Sequence, residues 1–189
     1  MIRLGLIGDI GSGKSHAAKL FGYPVFNADL EVSKLYKNNR ICYYKIKKAL
    51  HKNTISYPIR KEELSKAIIS NNSNLKKIIN IVHPLIKTKM KKFLKKYSHK
   101  KIIILDIPLL LENKLNRKKD ILIYVHAKKS DIYKKLKKRK NFNLKLLIKF
   151  KKIQLSLEYK KKMSQFILKN DFTNKNLKKG IKQILKKIL

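Results

Sequence analysis

Residues 8–16 read GDIGSGKSH and follow directly on a short apolar run at the start of the chain. Gly8, Gly13, Lys14 and Ser15 have the spacing G-x-x-x-x-G-K-S, which is the pattern of a phosphate-binding loop between a buried strand and a helix. In such a loop the glycines let backbone N–H groups turn toward phosphate oxygens, and the next helix presents its positive N-terminal end. The stretch therefore predicts a nucleotide site on an α/β fold.

The residue types in this loop predict a site for ATP and Mg²⁺. The ammonium of Lys14 would neutralise the β- and γ-phosphates, and the Ser15 hydroxyl would coordinate the metal ion. His16 follows this metal ligand; it could donate to the α-phosphate or only cap or pack, and we do not expect it to bind metal. The predicted ATP-binding residues of the stretch are Gly11, Ser12, Gly13, Lys14, Ser15 and His16.

Asp9 is the one acidic residue of the loop, and it occupies a variable position of the pattern. A carboxylate that faced the phosphates would oppose their binding because both groups are negative. We therefore expect the side chain of Asp9 to point outward, away from the bound nucleotide.

The charge of the chain is extreme, with 49 Lys and Arg against 11 Asp and Glu and a net charge of +38 over 189 residues. Of the basic residues 44 are lysines, which are scattered through nearly every segment after residue 34. Lys, Ile and Asn are encoded by A/T-rich codons, so codon bias accounts for much of this charge. A nucleic-acid reader would concentrate its charge and use more arginine for bidentate contacts. We expect no specific nucleic-acid, membrane or obligate protein partner.

Few features of the sequence indicate a compartment outside the cytoplasm. The first eight residues are too short an apolar run for a signal peptide or a membrane span. The single cysteine, Cys42, excludes an internal disulfide and has no second cysteine for a metal site. We expect a cytoplasmic protein in which Cys42 is an inert buried thiol.

Apolar periodicity predicts strands alternating with helices, and hence a parallel sheet of about five strands in a three-layer α/β/α domain. The predicted strands are IRLGLI, PVFN, KIIILD, DILIYVHA and QFILKN. We expect one domain with a core of about 1–29, 99–127 and 164–189, a helical insert of about 30–98 and a lysine-rich helical segment of about 128–163. Two long helices are predicted in the last segment, on either side of NFN, and Pro84 predicts a kink or break near His83.

Five stretches in order resemble the dephospho-CoA kinase family: GLIGDIGSGKS, PVFNADLEVSKLY, IRKEELSKAIISNNSNLKKIINIVHPLI, ILDIPLLLE, and KKRK followed by QLSLEYKKKMSQFILKN. The resemblance runs nearly from end to end. It implies a P-loop kinase that phosphorylates the ribose 3′-hydroxyl of dephospho-CoA with ATP, giving coenzyme A and ADP. It also implies that the insert binds the acceptor and that residues 128–163 form a closing lid.

The same resemblance implies roles for residues outside the loop. Asp29 would contact the acceptor hydroxyl, although it would also suit a helix N-cap. His83 would belong to the acceptor pocket, and Asp106 would lie near the acceptor and Mg²⁺, contacting the ion through water. Arg139 would stabilise charge on the transferred phosphoryl group, and Asn170 would lie near adenine. The predicted catalytic residues are Lys14, Asp29 and Arg139.

Several positions depart from the family pattern and leave other functions open. Asn27 stands where the family usually has Asp, Ser164-Gln165 replaces Ala-Asp, and Lys135 stands where arginine is common. The glycine expected soon after Asn170 is also missing. The alternatives are another small-molecule or nucleoside kinase, or a basic nucleic-acid-binding protein with a vestigial loop.

Overall fold

The computed structural model describes residues 1–139 and 142–189, and the chain forms two compact units. The first unit comprises Met1–Asn27, Lys96–Phe142 and Ile153–Leu189, and the second comprises Ala28–Lys95 and Asn143–Lys152. Lys140 and Asn141 belong to the predicted lid segment and lie outside the described residues.

The first unit is built on a parallel β-sheet. In the described ranges its strands are β1 (Ile2–Ile7), β2 (Val25–Asn27), β3 (Ile102–Asp106), β4 (Ile121–His126) and β5 (Phe166–Lys169), arranged in the order β2-β3-β1-β4-β5. All four neighbouring pairs are parallel. The predicted α/β fold with about five parallel strands is confirmed, and each strand lies where the apolar runs predict it.

Helices connect and cover these strands. They are α1 (Lys14–Leu20), α2 (Ala28–Asn38), α3 (Arg40–Ala49), α4 (Lys61–Ser70), α5 (Asn72–Lys96), α6 (Lys129–Lys137), α7 (Leu144–Lys152), α8 (Leu157–Lys162) and α9 (Asn174–Ile188). Among the described helices, none has the length and apolar character that a membrane span requires.

The sheet is buried because its central strands are apolar on both faces. Every residue of β3 is buried, as expected for a central parallel strand. The main core cluster joins alternate residues of the strands to apolar faces of α1 and α9. Its strand members are Leu4, Leu6, Ile102, Ile104, Ile123, Val125 and Leu168, and its helix members are Ala17, Ala18, Phe21, Leu177, Ile181 and Ile184.

The structure contradicts a helix break near His83, one of the two outcomes predicted from Pro84, and it contradicts a single second helix within residues 128–163. Pro84 lies inside α5, which runs without a break from Asn72 to Lys96. The buried stripe on both sides of Pro84 holds this helix together although proline removes one of its hydrogen bonds. The second helix predicted between 128 and 163 is divided into α7 and α8, because the Ser156 hydroxyl accepts from the Tyr159 N–H at 3.1 Å and starts a new helix.

The second unit contains α2–α5 and α7 and has its own apolar interior. Cys42 and Ile46 of α3 are fully buried there, together with apolar residues of α4 and α5. Burial raises the pKa of the Cys42 thiol to about 11, against a smaller opposite effect of Lys45. The predicted buried cysteine is confirmed, and it carries almost no thiolate at neutral pH.

The segment before α4 is held by a carboxylate in the first turn of that helix. Glu63 Oε2 accepts from the backbone N–H of Ser56 at 2.9 Å and from its hydroxyl at 3.0 Å. Burial acts to raise the pKa of Glu63, but the hydrogen bonds from Ser56, with a contribution from Arg60, bring the pKa below its ordinary value. The ionised form of Glu63 therefore stabilises the fold.

We predict that Glu63→Ala lowers the free energy of unfolding by about 1–2 kcal/mol at pH 7, since two hydrogen bonds to a charged group are lost. The folded-state pKa is lowered, so this contribution is present above the unfolded pKa of about 4.3 and is lost as the pH falls through the lower folded value. Urea unfolding between pH 7 and pH 3 measures it.

Glu62→Ala is the matched control, because Glu62 is exposed in the same first turn and shares the favourable position near the helix N-terminus. As the pH falls from 7 to 3, the wild type and Glu62→Ala are expected to lose the stabilisation that ionised Glu63 provides. Glu63→Ala lacks this stabilisation and is expected to lose less stability over the same range. Parallel pH profiles for the two variants would contradict the role given to Glu63.

Candidate active site

The loop between β1 and α1 is curled by glycines in the left-handed region, and α6 packs directly against it. Gly11 has φ 86°, and a Cβ atom placed on it would lie 2.9 Å from Leu136 Cγ and 3.1 Å from Ile132 Cγ2. Leu136 and Ile132 are buried residues of α6. A side chain at position 11 would therefore displace α6 as well as strain the backbone, so the loop and α6 fix each other.

The opposite side of the loop is occupied by the chain that follows β5. Gly13 has φ 91°, and a Cβ atom there would lie 2.2 Å from Asn170 Nδ2. Asn170 is 4% exposed; its amide donates to the carbonyl of Ser12 at 2.8 Å and its oxygen accepts from the N–H of Phe172 at 2.7 Å. Asn170, which follows the last strand of the sheet, thus braces the phosphate loop.

Lys14 starts α1 and lies buried over the loop. Its Nζ donates to the carbonyl oxygens of Gly8 at 3.2 Å and of Asp9 at 2.7 Å. The ammonium is therefore held by loop carbonyls within the curl where the sequence predicts phosphate.

Asp9 is buried, at 8% exposure, and the expectation that it points away from the bound nucleotide stays a prediction. Its Oδ1 accepts from the N–H of Ile10 at 2.7 Å, so the carboxylate is turned onto the loop's own backbone. Burial and, to a smaller extent, the charge of Asp9 raise the pKa of Tyr124 on β4. Asp9 is a structural element of the turn.

The two residues after Lys14 are exposed at the start of α1. Ser15 presents its hydroxyl at the positive end of this helix. His16 Nε2 lies 2.6 Å from Asn174 Oδ1 at the start of α9. This contact of His16 joins α1 to the segment that follows β5. Donation to the α-phosphate stays a prediction.

Asp106 lies at the carboxyl end of the sheet. Asp106 ends β3, is 3% exposed, and its Oδ2 accepts from the Asn27 side-chain amide at 2.5 Å. Asn27 is its register partner at the end of β2. Ligands of open parallel sheets bind at this edge, and the phosphate loop follows the adjacent strand β1.

Arg139 follows α6, the helix that packs on Gly11. Its backbone N–H donates to the carbonyl of Leu136 at 3.0 Å, and its side chain is exposed. Lys135 of the same helix places its Nζ 5.4 Å from the ring centroid of Phe172. Within the first unit, the structure thus links the predicted residues Lys14, Arg139 and Asn170 to one loop through α6 and the segment after β5.

Asp29 and His83 belong to the second unit. Asp29 is exposed in the first turn of α2, which begins at Ala28, so the alternative that it is the N-cap is wrong. Its negative charge there is favourable for the helix. His83 is half-buried within α5, and burial, with a smaller effect of Lys87, lowers its pKa. Its Nε2 is buried and has no hydrogen-bond partner among the described residues.

Comparison with known proteins decides the family. The family model described as dephospho-CoA kinase matches residues 2–176. A curated dephospho-CoA kinase of Wolbachia pipientis wMel is 31% identical over 96% of this chain and 95% of its own length. This chain belongs to the dephospho-CoA kinase family. The predicted family and enzyme class are confirmed: it is a kinase that acts on dephospho-CoA with ATP in coenzyme A synthesis.

Further relatives agree with this assignment. The dephospho-CoA kinase of Bartonella henselae is 30% identical over 98% of this chain and 97% of its own length. Among solved structures, TT1252 from Thermus thermophilus has a TM-score of 0.75 at 23% identity, covering 100% of this chain and 98% of its own. Dephospho-CoA kinase from Campylobacter jejuni has a TM-score of 0.64 at 19% identity, covering 98% and 96%. The two structures show the fold.

The departures of this kinase from the family pattern have local structural partners. Asn27 donates to Asp106, whereas a carboxylate at position 27 would repel the carboxylate of Asp106. Gln165 accepts from the Leu122 N–H at 2.7 Å at the start of β4. Phe172, which follows Asn170 by two residues, has φ 65°, the left-handed conformation that glycine adopts most easily. Side-chain bonding by Asn170 and Asp171 holds the turn around it.

Sequence reasoning missed several residues that shape this site. The contacts of Ile132 and Leu136 with Gly11 could not be found from periodicity, which shows only that both lie on the buried face of a helix. The Asn27–Asp106 bond depends on the register of β2 with β3. The glycine spacing itself was the signal that space around the loop is limited.

We predict that Asn170→Ala destabilises the kinase by about 2 kcal/mol, because the buried Ser12 carbonyl and the Phe172 N–H both lose a partner. ATP binding is expected to weaken as the loop loses its brace. Urea unfolding and calorimetric titration with ATP measure the two effects.

Asn174→Ala is the control from the same segment, since its bond to His16 is exposed. It is expected to change stability by less than about 0.5 kcal/mol. If Asn170→Ala behaved like Asn174→Ala in both measurements, the bracing role of Asn170 would be wrong.

Proposed function

We propose that this kinase transfers the γ-phosphoryl group of ATP to the ribose 3′-hydroxyl of dephospho-CoA, with the predicted residues in the roles given below. The observation that carries the proposal is the phosphate loop, curled by Gly11 and Gly13 and holding the buried ammonium of Lys14. The space around the loop is narrow, because α6 and Asn170 occupy the positions that side chains at residues 11 and 13 would take. A narrow glycine-rich loop at a helix N-terminus suits the phosphates of a nucleotide.

The bond changes of the reaction assign tasks to these residues. A bond forms between the acceptor 3′-oxygen and the γ-phosphorus, while the bond to the β,γ-bridging oxygen breaks and ADP leaves. The hydroxyl proton passes to a base, and we assign its acceptance and the orientation of the hydroxyl to Asp29. Lys14 and Arg139 balance charge on the phosphates as the bond to ADP breaks, and positioning dominates because the transition state is loose.

The acceptor side of the proposal rests on His83 of α5 and Asp106 at the end of β3. Burial lowers the pKa of His83, which favours the neutral ring at neutral pH, and its buried Nε2 has no hydrogen-bond partner among the described residues. We assign His83 to the acceptor pocket. Asp106 lies at the carboxyl edge of the sheet, where acceptors bind in open α/β folds. The division into core, acceptor-binding insert and lid stays a prediction, as does a cytoplasmic location.

The residues present fit a magnesium ion at the phosphate loop. In the described ranges no group of three or more His, Cys, Asp or Glu side chains could hold a metal ion by itself. Mg²⁺ in kinases is bound by one or two protein oxygens together with phosphates and water. The exposed Ser15 hydroxyl would supply one oxygen and Asp106 would act through water. When bound, the ion would neutralise phosphate charge.

We predict that Lys14→Ala lowers kcat for dephospho-CoA-dependent ADP release at least a hundredfold, because charge on the transferred group loses its buried counter-ion. Lys19→Ala is the matched control, since Lys19 is exposed in the last turn of the same helix. Circular dichroism confirms that both variants fold. Turnover by Lys14→Ala equal to that of Lys19→Ala would contradict the proposed site.

The choice of acceptor is tested with a panel of hydroxyl compounds. We expect dephospho-CoA to have the highest kcat/KM, and its product to carry the new phosphate on the 3′ oxygen. A nucleoside or other small acceptor with a higher kcat/KM would favour the alternative kinase. Tight, salt-dependent binding of nucleic acid without turnover would favour the vestigial-loop alternative.

We predict further that Arg139→Ala lowers kcat by about a thousandfold, as loss of a transition-state arginine does in phosphoryl transfer. Stability is expected to be unchanged because the side chain is exposed. Lys138→Ala removes a neighbouring exposed charge and is expected to retain activity within about twofold. Equal kcat values for the two variants would assign Arg139 to the solvated surface.

A further inference from the structure

Lys160 is buried although it lies in one of the most basic segments of the chain. It is 1% exposed, whereas Lys161 and Lys162 of the same helix, α8, are exposed. Transfer of an ammonium group out of water is unfavourable unless charged and polar partners surround it. The burial of Lys160 therefore requires a specific set of contacts.

Those contacts come from Glu112 and Gln154, and Leu155 in turn bonds to Glu112. Lys160 Nζ lies 2.8 Å from Glu112 Oε1 and donates to Gln154 Oε1 at 3.2 Å. Glu112 Oε1 also accepts from the Leu155 N–H at 3.1 Å. The side chains of Lys160 and Glu112 are 2% and 9% exposed, so water screens their attraction little. We name Glu112, Gln154, Leu155 and Lys160 the Lys160 clamp.

One side of the clamp is rigidly joined to the sheet. Glu112 lies on the turn that follows Asp106, and Leu110 of that turn is fully buried. A Cβ atom on Gly5 of β1 would lie 2.6 Å from Leu110 Cδ2, so the turn packs closely on the central strand. Glu112 is therefore a fixed point of the first unit.

The other side of the clamp is the place where the chain returns to the first unit. The chain leaves this unit after Phe142, and it returns at Ile153 after the segment Asn143–Lys152. Gln154 and Leu155 are the next two residues, and both bond within the clamp. Earlier in the chain, Ile132 and Leu136 of α6 pack on Gly11.

We infer that Lys160 is a positioning residue: through Glu112 and Gln154 it fastens residues 153–160, in the last part of the predicted lid, to the turn after Asp106. The inference rests on the proposed function, because a fastened lid matters for catalysis only if the kinase closes over its substrates. Lys160 is not a catalytic residue. It acts through the segment between residues 143 and 153, and the clamp holds the chain where this segment ends.

The first test compares Lys160→Met with Lys161→Met, which removes an adjacent exposed ammonium from the same helix. We expect Lys160→Met to lower kcat about tenfold to a hundredfold, as displacement of supporting groups does when geometry is lost. KM for ATP is expected to change less than about threefold, because the phosphate loop is untouched. Lys161→Met is expected to match the wild type. A wild-type kcat in folded Lys160→Met would overturn the inference.

The second test keeps the ion pair, so that the result does not depend on the stability of Lys160→Met. Gln154→Leu removes the amide contact and leaves Lys160 paired with Glu112. Hydrogen exchange of the amides between 143 and 155 is expected to accelerate at least tenfold relative to the wild type and Lys161→Met, with protection of β1 and β3 unchanged. Unchanged exchange in this segment, with unchanged kcat, would overturn the inference.

The exchange measurement also separates this inference from the proposed function. If the wild type showed no dephospho-CoA-dependent turnover, the proposed function would be wrong, and the exchange data would still decide whether the clamp holds the returning segment. Acceleration spread over the whole first unit, β1 and β3 included, would mean that the clamp serves overall stability alone, and would contradict a positioning role.

Discussion

The closeness of packing around the phosphate loop is the constraint on which the rest of the structure depends. Gly11 is covered by Leu136 and Ile132 of α6, and Gly13 by the amide of Asn170, at distances that leave no room for a Cβ atom. The loop therefore takes its curl from left-handed glycines and keeps it because two separate segments press on it. One segment leads to Arg139 and the other follows the last strand, so nucleotide site, helix α6 and β5 are arranged together.

The charges of the chain divide into a solvated majority and a buried few. Of the 49 lysines and arginines in the sequence, the buried ones in the described ranges are Arg3, Lys14 and Lys160. Arg3 lies 2.9 Å from Asp120, Lys160 lies 2.8 Å from Glu112, and Lys14 is held by loop carbonyls. Carboxylates of the protein lie beside Arg3 and Lys160. Lys14 lies within the loop where the sequence predicts phosphate.

The substitutions that distinguish this kinase from its family pattern are accommodated locally. Asn27 donates to Asp106, whereas the aspartate usual at position 27 in the family would place two acids side by side. Gln165 accepts from the N–H of Leu122 near the start of β4. Phe172 takes a left-handed backbone beside Lys135, and its N–H is held by Asn170. At each of these positions, a hydrogen bond within this chain satisfies the substituted side chain or its backbone.

The sheet, the phosphate loop and the family could be predicted from the sequence, because apolar runs, glycine spacing and the order of the motifs are read directly from the residues. Periodicity could not decide that α5 continues through Pro84 or that Ser156 starts a separate helix, since packing and a side-chain cap decide both. Nor could it show that Asp9 turns onto its own loop or that Lys160 is buried with Glu112. The Lys160–Glu112 contact joins residues distant in the chain, so only the tertiary structure brings their atoms together. The Asp9 and Ser156 contacts are local, but the backbone conformation that allows them is not given by apolar periodicity.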